Sequence, residues 1–363
     1  MTITSNKNKH LLDLRRDRIP EDRDLEEGLR LNRNERVDSW PKDFLVEVFK
    51  NKPDYYLSIY PDLSPLYKKI SNFCNVKEDN LLVTSGIDGA LKTIWEVSTK
   101  ESDSVGVLGP TYAMYGVYSR IFKTALTEIS YDPHTLKLKW KDLIDFIKSK
   151  PKVVFIPNPN QPIEDNLDLN QIADVTKRAK DSGTLIVMDE AYFLFGAETA
   201  IDLIEEHHNL VVTRTFSKGF GVPSIRTGFI ASNEENMNII SKTRFAHEAN
   251  ALNTAVVEYL LDNYEIVDAY IKQVIESRNS LREKIRAMGL NCFGEKANYL
   301  LIDLVSNEAC KNVERFLKEN LIYVKANFPS PWDQYILITV GPEVLMDRFF
   351  NKLKLAKDFL NNN

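Results

Sequence analysis

Residues 153–190 read VVFIPNPNQPIEDNLDLNQIADVTKRAKDSGTLIVMDE, and their pattern decides the fold class. The run 153–157 is short and continuously apolar. Apolar residues then recur at helical spacing over 170–181, and a second apolar run, 185–188, stops at Asp189. Two unbroken apolar strands joined by an amphipathic helix fit a parallel sheet, whose strands are buried on both faces.

The same alternation extends outward from this unit. Upstream, strands are expected at 81–84, 105–108 and 125–131, with helices over 88–99, after Pro110 and over 143–150. Downstream, strands follow at 210–213 and 227–231. Repeated β-α units mean an α/β sheet covered by helices on both sides. From about 233 to 290 the chain reads as long amphipathic helices. A strand, a helix and a strand are then expected at 298–304, 309–317 and 336–340, forming a second, smaller α+β unit with the N-terminal segment. Residues 1 to about 50 are charged and irregular, with Pro20, Pro41 and Pro53 as breakers.

Composition narrows the classes. The 363 residues, 43% hydrophobic, suffice for one large domain and one smaller one. Net charge is −5 with the signs interspersed, and no basic stripe marks a nucleic-acid surface. Cys74, Cys292 and Cys310 are far apart and match no metal spacing, as expected for free thiols in a reducing compartment. The five histidines make no ligand pattern. The first eighteen residues lack an apolar core of signal-peptide length, and no apolar run is long enough to span a membrane. A soluble, cytoplasmic protein without metal is expected.

In open α/β sheets, ligands sit beyond the carboxyl ends of the strands, and five segments there carry chemistry. In Thr213-Arg-Thr-Phe-Ser-Lys-Gly-Phe-Gly221, Lys218 directly follows a strand, where desolvation favours a neutral, nucleophilic amine. Thr215, Ser217 and Arg226 suit a phosphate dianion; taken alone, the segment also fits a surface lysine in a polar loop. In Met188-Asp-Glu-Ala-Tyr192, Asp189 can keep a pyridine nitrogen protonated, and Tyr192 can donate to a ring oxygen. A helix N-cap is the plainer use of such an aspartate. Ser85-Gly-Ile-Asp-Gly-Ala90 leaves backbone N–H groups free for a phosphate at a helix start. In Gly109-Pro-Thr-Tyr-Ala-Met-Tyr115, Tyr112 is placed to stack on a planar ring, whereas Tyr115 reads as helix packing. Asn158-Pro-Asn-Gln-Pro162 fixes a turn whose amide can face that ring.

This constellation resembles the class I/II aminotransferases of the aspartate-aminotransferase fold, and within them the histidinol-phosphate aminotransferase and threonine-phosphate decarboxylase groups. The resemblance runs from Leu31 to Gly341 and implies the pyridoxal-phosphate fold type I. That fold has a mainly parallel sheet in the large domain and a smaller α+β domain built from both termini. The expected divisions are an arm and part of the small domain over 1–50, the cofactor-binding domain over 51–255, and the small domain over 256–363.

The resemblance also implies roles. Lys218 is the Schiff-base lysine of pyridoxal 5′-phosphate, Asp189 pairs with the pyridine nitrogen, and Tyr192 with the 3′-oxygen. Ile87, Asp88, Thr215, Ser217 and Arg226 hold the phosphate, and Tyr112 stacks on the ring. Leu31-Asn-Arg-Asn-Glu35 resembles a substrate segment, with Arg33 and Asn34 as substrate contacts. Tyr60, in SIYPD, resembles the tyrosine that reaches the neighbouring subunit's phosphate, which implies a homodimer with shared active sites.

Two departures matter. Gln161 stands where the family has an asparagine on the ring oxygen. Leu337, in ILITVG, stands where the family has the arginine that clamps the substrate carboxylate. An anion buried there unpaired would cost several kcal/mol, so another cation is needed or the substrate lacks that carboxylate. Candidate cations are Lys325, Arg33, Arg36 and Arg244, with His247 and Glu248 nearby. Three functions stay open. The first is a ping-pong aminotransferase acting on a small, phosphorylated amino or keto substrate. The second is a decarboxylase of phosphoserine or phosphothreonine. The third is a cofactor-gated regulator, against which no helix-turn-helix precedes residue 50.

Overall fold

The structure is a computed structural model that describes residues 6–16, 18 and 20–356. The outermost parts of the expected first and last units, 1–5 and 357–363, lie outside the described residues, as do 17 and 19. The chain opens with β1 (Leu29–Leu31), α1 (Phe44–Phe49) and α2 (Ser64–Cys74). Alternation then begins with β2 (Leu81–Thr84), α3 (Gly86–Ser98), β3 (Ser104–Gly109), α4 (Met114–Phe122), β4 (Ala125–Ser130) and α5 (Trp140–Lys148). It continues through β5 (Val153–Pro157), α6 (Leu169–Ser182), β6 (Leu185–Asp189), β7 (Leu210–Thr215) and β8 (Gly228–Ser232).

Local chemistry explains the decisive unit. All five residues of β5 are buried. Helix α6 starts on a capping box: the Asp168 carboxylate accepts the Gln171 backbone N–H at 2.8 Å, and the Gln171 side-chain oxygen accepts that of Asp168 at 3.0 Å. The helix ends at Gly183, whose φ of +71° suits a residue without Cβ.

Strands β2 to β8 form one seven-stranded sheet in the order β2-β8-β7-β6-β5-β3-β4. The pairs β3–β4, β3–β5, β5–β6 and β6–β7 are parallel. β8, the strand expected at 227–231, runs antiparallel to both β7 and β2 within the mainly parallel sheet. The physical reason is the connection: residues 216–227 contain no crossover helix, so the chain turns back beside β7. That return leaves Lys218 and Arg226 at the carboxyl end of the parallel strands. β2, antiparallel to β8, also ends there, and so does the start of α3. The chain steps outward in opposite directions from the β3–β5 pair, the kind of switch point at which such sheets bind ligands.

The rest comprises α7 (Glu234–Ile240), α8 (Ala251–Asp262), α9 (Tyr264–Ala287), β9 (Cys292–Phe293), β10 (Tyr299–Asp303), α10 (Asn307–Glu319), β11 (Ile322–Val324), β12 (Tyr335–Thr339) and α11 (Glu343–Leu355). The expected helical stretch 233–290 is thus broken between α7 and α8. β9, β10 and β12 form an antiparallel sheet, and β1 pairs in parallel with β11. The β1–β11 pairing carries residues 32–35 toward the carboxyl end of the large sheet, where the Asn34 N–H donates to Thr339 Oγ1 at 2.9 Å. The three cysteines are buried and free. Among the described residues no helix is long and apolar enough to cross a membrane.

One face of the large sheet rests on α3 and α4 through Trp95, Tyr115 and Phe155, with Trp95 and Phe155 stacked at 4.2 Å and 13°. Phe155→Ala should therefore lower unfolding stability by about 3–5 kcal/mol, read as the shift of a urea midpoint. A loss under about 1 kcal/mol, ordinary for a surface change, would contradict this packing.

Candidate active site

A cavity of about 620 Å³ opens at the carboxyl end of the sheet. The loops after β2, β3, β5, β6 and β7 line it, together with residues 32–35 and Lys325. Except for Tyr60, every catalytic and cofactor-binding residue expected from the sequence lines it, as do Arg33, Asn34 and Lys325. Tyr60 is 79% exposed, with its ring stacked on His247 at 4.4 Å.

One corner is rich in donors. The first N–H groups of α3 have no preceding turn to bond. Arg226 donates to Ser217 Oγ at 3.4 Å, and Thr215 Oγ1 donates to Ser217 Oγ at 2.9 Å. The Arg226 guanidinium also lies 3.4 Å from the Asp88 carboxylate, which accepts the Tyr112 hydroxyl at 3.0 Å. Gly86 has φ +66°, and a Cβ there would fall 2.9 Å from Arg226 Nη2. A glycine is needed both for the backbone angle and for the space between helix start and guanidinium.

The cavity also holds a half-buried amine and a buried carboxylate. Lys218 Nζ donates to the Arg33 carbonyl at 3.0 Å. Burial pushes its pKa down to about 8, against the pull of Glu35 and with added repulsion from Arg226 and Lys325. Asp189, at the end of β6, keeps Oδ1 on the Ala191 N–H at 3.2 Å, and its Oδ2 accepts the Tyr115 hydroxyl at 2.7 Å. Burial raises the Asp189 pKa to about 6, and the Tyr115 bond holds it below where burial alone would put it. Tyr115 is thus more than helix packing, and its placement corrects the sequence reading. It packs beside Trp95 and Phe155 as expected and also donates into the site. The available signal was its spacing, three residues after Tyr112 at a helix start, which puts both on one side.

Across the cavity the Tyr192 hydroxyl accepts from Asn34 Nδ2 at 2.9 Å. Lys325 Nζ donates to Gln161 Oε1 at 3.2 Å. Lys325 and Leu337 form an antiparallel bridge, so their side chains lie on the same face. Leu337 itself is fully buried. The other candidate cations are placed differently. Arg36 pairs with Asp38 at 2.6 Å and packs against Trp40 and Tyr270. Arg244 lies 3.8 Å from Glu248, and neither arginine lines the cavity. Arg33 lines it but pairs with Glu21 at 3.3 Å.

These residues fit pyridoxal phosphate. The glycine-made gap between α3 and Arg226 suits a phosphate. The amine at 218 shifts toward its neutral, nucleophilic form. The acid at 189 keeps a carboxylate oxygen available in a dry space, as a ring nitrogen requires.

The aminotransferase class I and II family profile matches residues 51–353. A histidinol-phosphate aminotransferase of Brachyspira hyodysenteriae is 29% identical over 335 residues, covering 90% of this chain and 91% of that protein. The crystal structure of histidinol-phosphate aminotransferase from Sinorhizobium meliloti, in complex with pyridoxal 5′-phosphate, superposes with a TM-score of 0.81. Its identity is 18%, over 91% of this chain and 90% of that one. A mutant aspartate aminotransferase from Thermus thermophilus superposes with a TM-score of 0.76 at 17% identity, over 90% and 96%. The fold is the aspartate-aminotransferase-like α/β fold expected from the sequence.

Two tests follow from the geometry. A protonated amine cannot attack an aldehyde, so uptake of pyridoxal phosphate by the cofactor-free chain should quicken roughly tenfold per pH unit up to about 8 and then level off. A rate still climbing toward pH 10.5, the ordinary lysine value, would show an unperturbed amine. Tyr115→Phe keeps the packed ring and deletes the donor on Asp189. Cofactor dissociation, followed by fluorescence, should weaken about tenfold; an unchanged Kd would make the tyrosine a packing residue only.

Proposed function

This chain belongs to the class I and II aminotransferases, and on that premise we propose that it is a pyridoxal-phosphate enzyme acting on a small, phosphorylated amino or keto substrate. An amino-acid donor would react in the other half of a ping-pong cycle. The observation that carries this reading is the half-buried Lys218 amine, its pKa drawn down to about 8, in one cavity with buried Asp189. Bound pyridoxal phosphate supplies an aldehyde that takes up amines and a ring that spreads negative charge from the substrate carbon.

The chain's residues then have distinct tasks. Lys218 would hold the cofactor's aldehyde carbon, and its free amine would serve as the base for the proton on the substrate carbon. Asp189, oriented by Tyr115, keeps a proton on the ring nitrogen. Tyr192 donates to the ring oxygen and is itself held by Asn34. Ile87 and Asp88 offer backbone N–H groups to the phosphate. Thr215 and Ser217 add hydroxyls there, and Arg226 adds charge. Tyr112 covers one ring face, Gln161 stands at its edge, and Arg33 and Asn34 face the substrate.

Tyr60 belongs to a second part of the proposal, a homodimer. Leu57, Ile59 and Tyr60 are exposed on one short stretch, and covering them against a second copy would let Tyr60 reach the partner's phosphate corner. The free thiols of Cys74, Cys292 and Cys310 suit a cytoplasmic enzyme.

The test is a half-reaction. An amino donor alone should bleach the cofactor's visible band, and a keto acid alone should restore it. Lys218→Ala should lower turnover by about a thousandfold or more. Release of CO2 from phosphoserine or phosphothreonine, without any keto acid, would replace this reading with decarboxylation.

A further inference from the structure

Four cations line the cavity: Arg33, Lys218, Arg226 and Lys325. Arg33 is paired with Glu21, and Arg226 lies by Asp88. Lys218 is the covalent amine of the proposed function. Lys325 remains, and among the described residues no carboxylate pairs with it. Its one polar partner is the neutral Gln161 oxygen at 3.2 Å, with the Phe328 ring 5.5 Å away. Burial alone lowers its pKa, because no anion opposes the loss of water.

Gln161 has a matching gap. A lysine only donates, so the amide must turn its oxygen toward Lys325 and leave its NH2 pointing elsewhere. That nitrogen is buried and has no hydrogen-bond partner. The turn that carries it is rigid. Asn158 and Asn160 are fully buried. Asn158 exchanges hydrogen bonds with the backbone of Leu167, while Asn160 Nδ2 donates to the Pro110 and Ile163 carbonyls. These bonds hold the backbone on which Gln161 stands. Leu337, cross-strand from Lys325, is fully buried and offers no donor. One end of the cavity thus presents one positive charge and one vacant amide N–H.

We propose that Lys325 and Gln161 form a two-point subsite for the α-carboxylate of the amino-acid substrate, one oxygen on the ammonium and the other on the amide. The proposal rests on the functional reading above and names a substrate feature that the reading leaves open. A carboxylate has one negative charge and two acceptor oxygens, which this pair matches in charge and in number. A phosphate dianion would need more charge and more donors than this end supplies. Because the two anchors stand on separate segments, one on the turn after β5 and one just after β11, specificity depends on both side chains together.

O-phospho-L-serine and O-phosphoethanolamine differ only in the carboxylate, and each can be titrated against the absorption band of the cofactor-loaded enzyme. The wild type should bind phosphoserine about ten- to a hundredfold more tightly. Lys325→Met should abolish that preference while leaving phosphoethanolamine affinity unchanged, and Gln161→Leu should reduce it. Adding Leu337→Arg to Lys325→Met should restore it, which a merely structural lysine would not allow. A wild type with no preference, or a preference that survives Lys325→Met, overturns the subsite while leaving the enzyme reading intact. If neither compound nor any amino acid perturbs the band, both fall together.

Discussion

An amine and a carboxylate share one cavity, and desolvation pushes each toward its uncharged form. Burying an isolated charge is expensive, so Lys218 falls to about 8 and Asp189 climbs to about 6. Neutral hydrogen-bond partners retain them: the Arg33 carbonyl for the amine, the Tyr115 hydroxyl and the Ala191 N–H for the acid. A lysine left in water would stay protonated and inert as a nucleophile. An aspartate in water would hold a ring proton only weakly. The surrounding architecture serves to keep water from these two groups.

The sheet provides that setting by where its strands stop. Four parallel pairings aim several strand ends at one place, and the antiparallel return of β8 swings the Lys218–Arg226 loop back over them. The short β1–β11 pair then brings Asn34 and Arg33 across from a distant part of the chain. Function thus draws on both ends of the sequence, and the Asn34–Tyr192 hydrogen bond spans 158 residues.

Much of this was legible in the sequence because the signals were local. The unbroken apolar run of β5, the acid ending β6 and the lysine following β7 each announce a strand end with chemistry on it. What was not legible depended on partners far away. The strands β1 and β11 have three residues each, too few for periodicity, and gain meaning only from each other. The direction of β8 was hidden because a strand buried on both faces reads the same either way. α2 was not anticipated, since its polar and apolar residues were overshadowed by the prolines around it. Tyr115 was taken for packing because nothing in a helix pattern says that a buried hydroxyl meets an acid from β6. Lys325 was weighed as a replacement for the cation missing at Leu337, but Gln161 was singled out separately, and only the folded chain brings it to Lys325.

The central claim concerns one amine, and chemical trapping tests it most directly. The cofactor-loaded protein is reduced with borohydride, digested and analysed by mass spectrometry. The account predicts a single phosphopyridoxyl adduct, on the peptide that contains Lys218. An adduct on Lys325 or another lysine, with Lys218 unmodified, would contradict it.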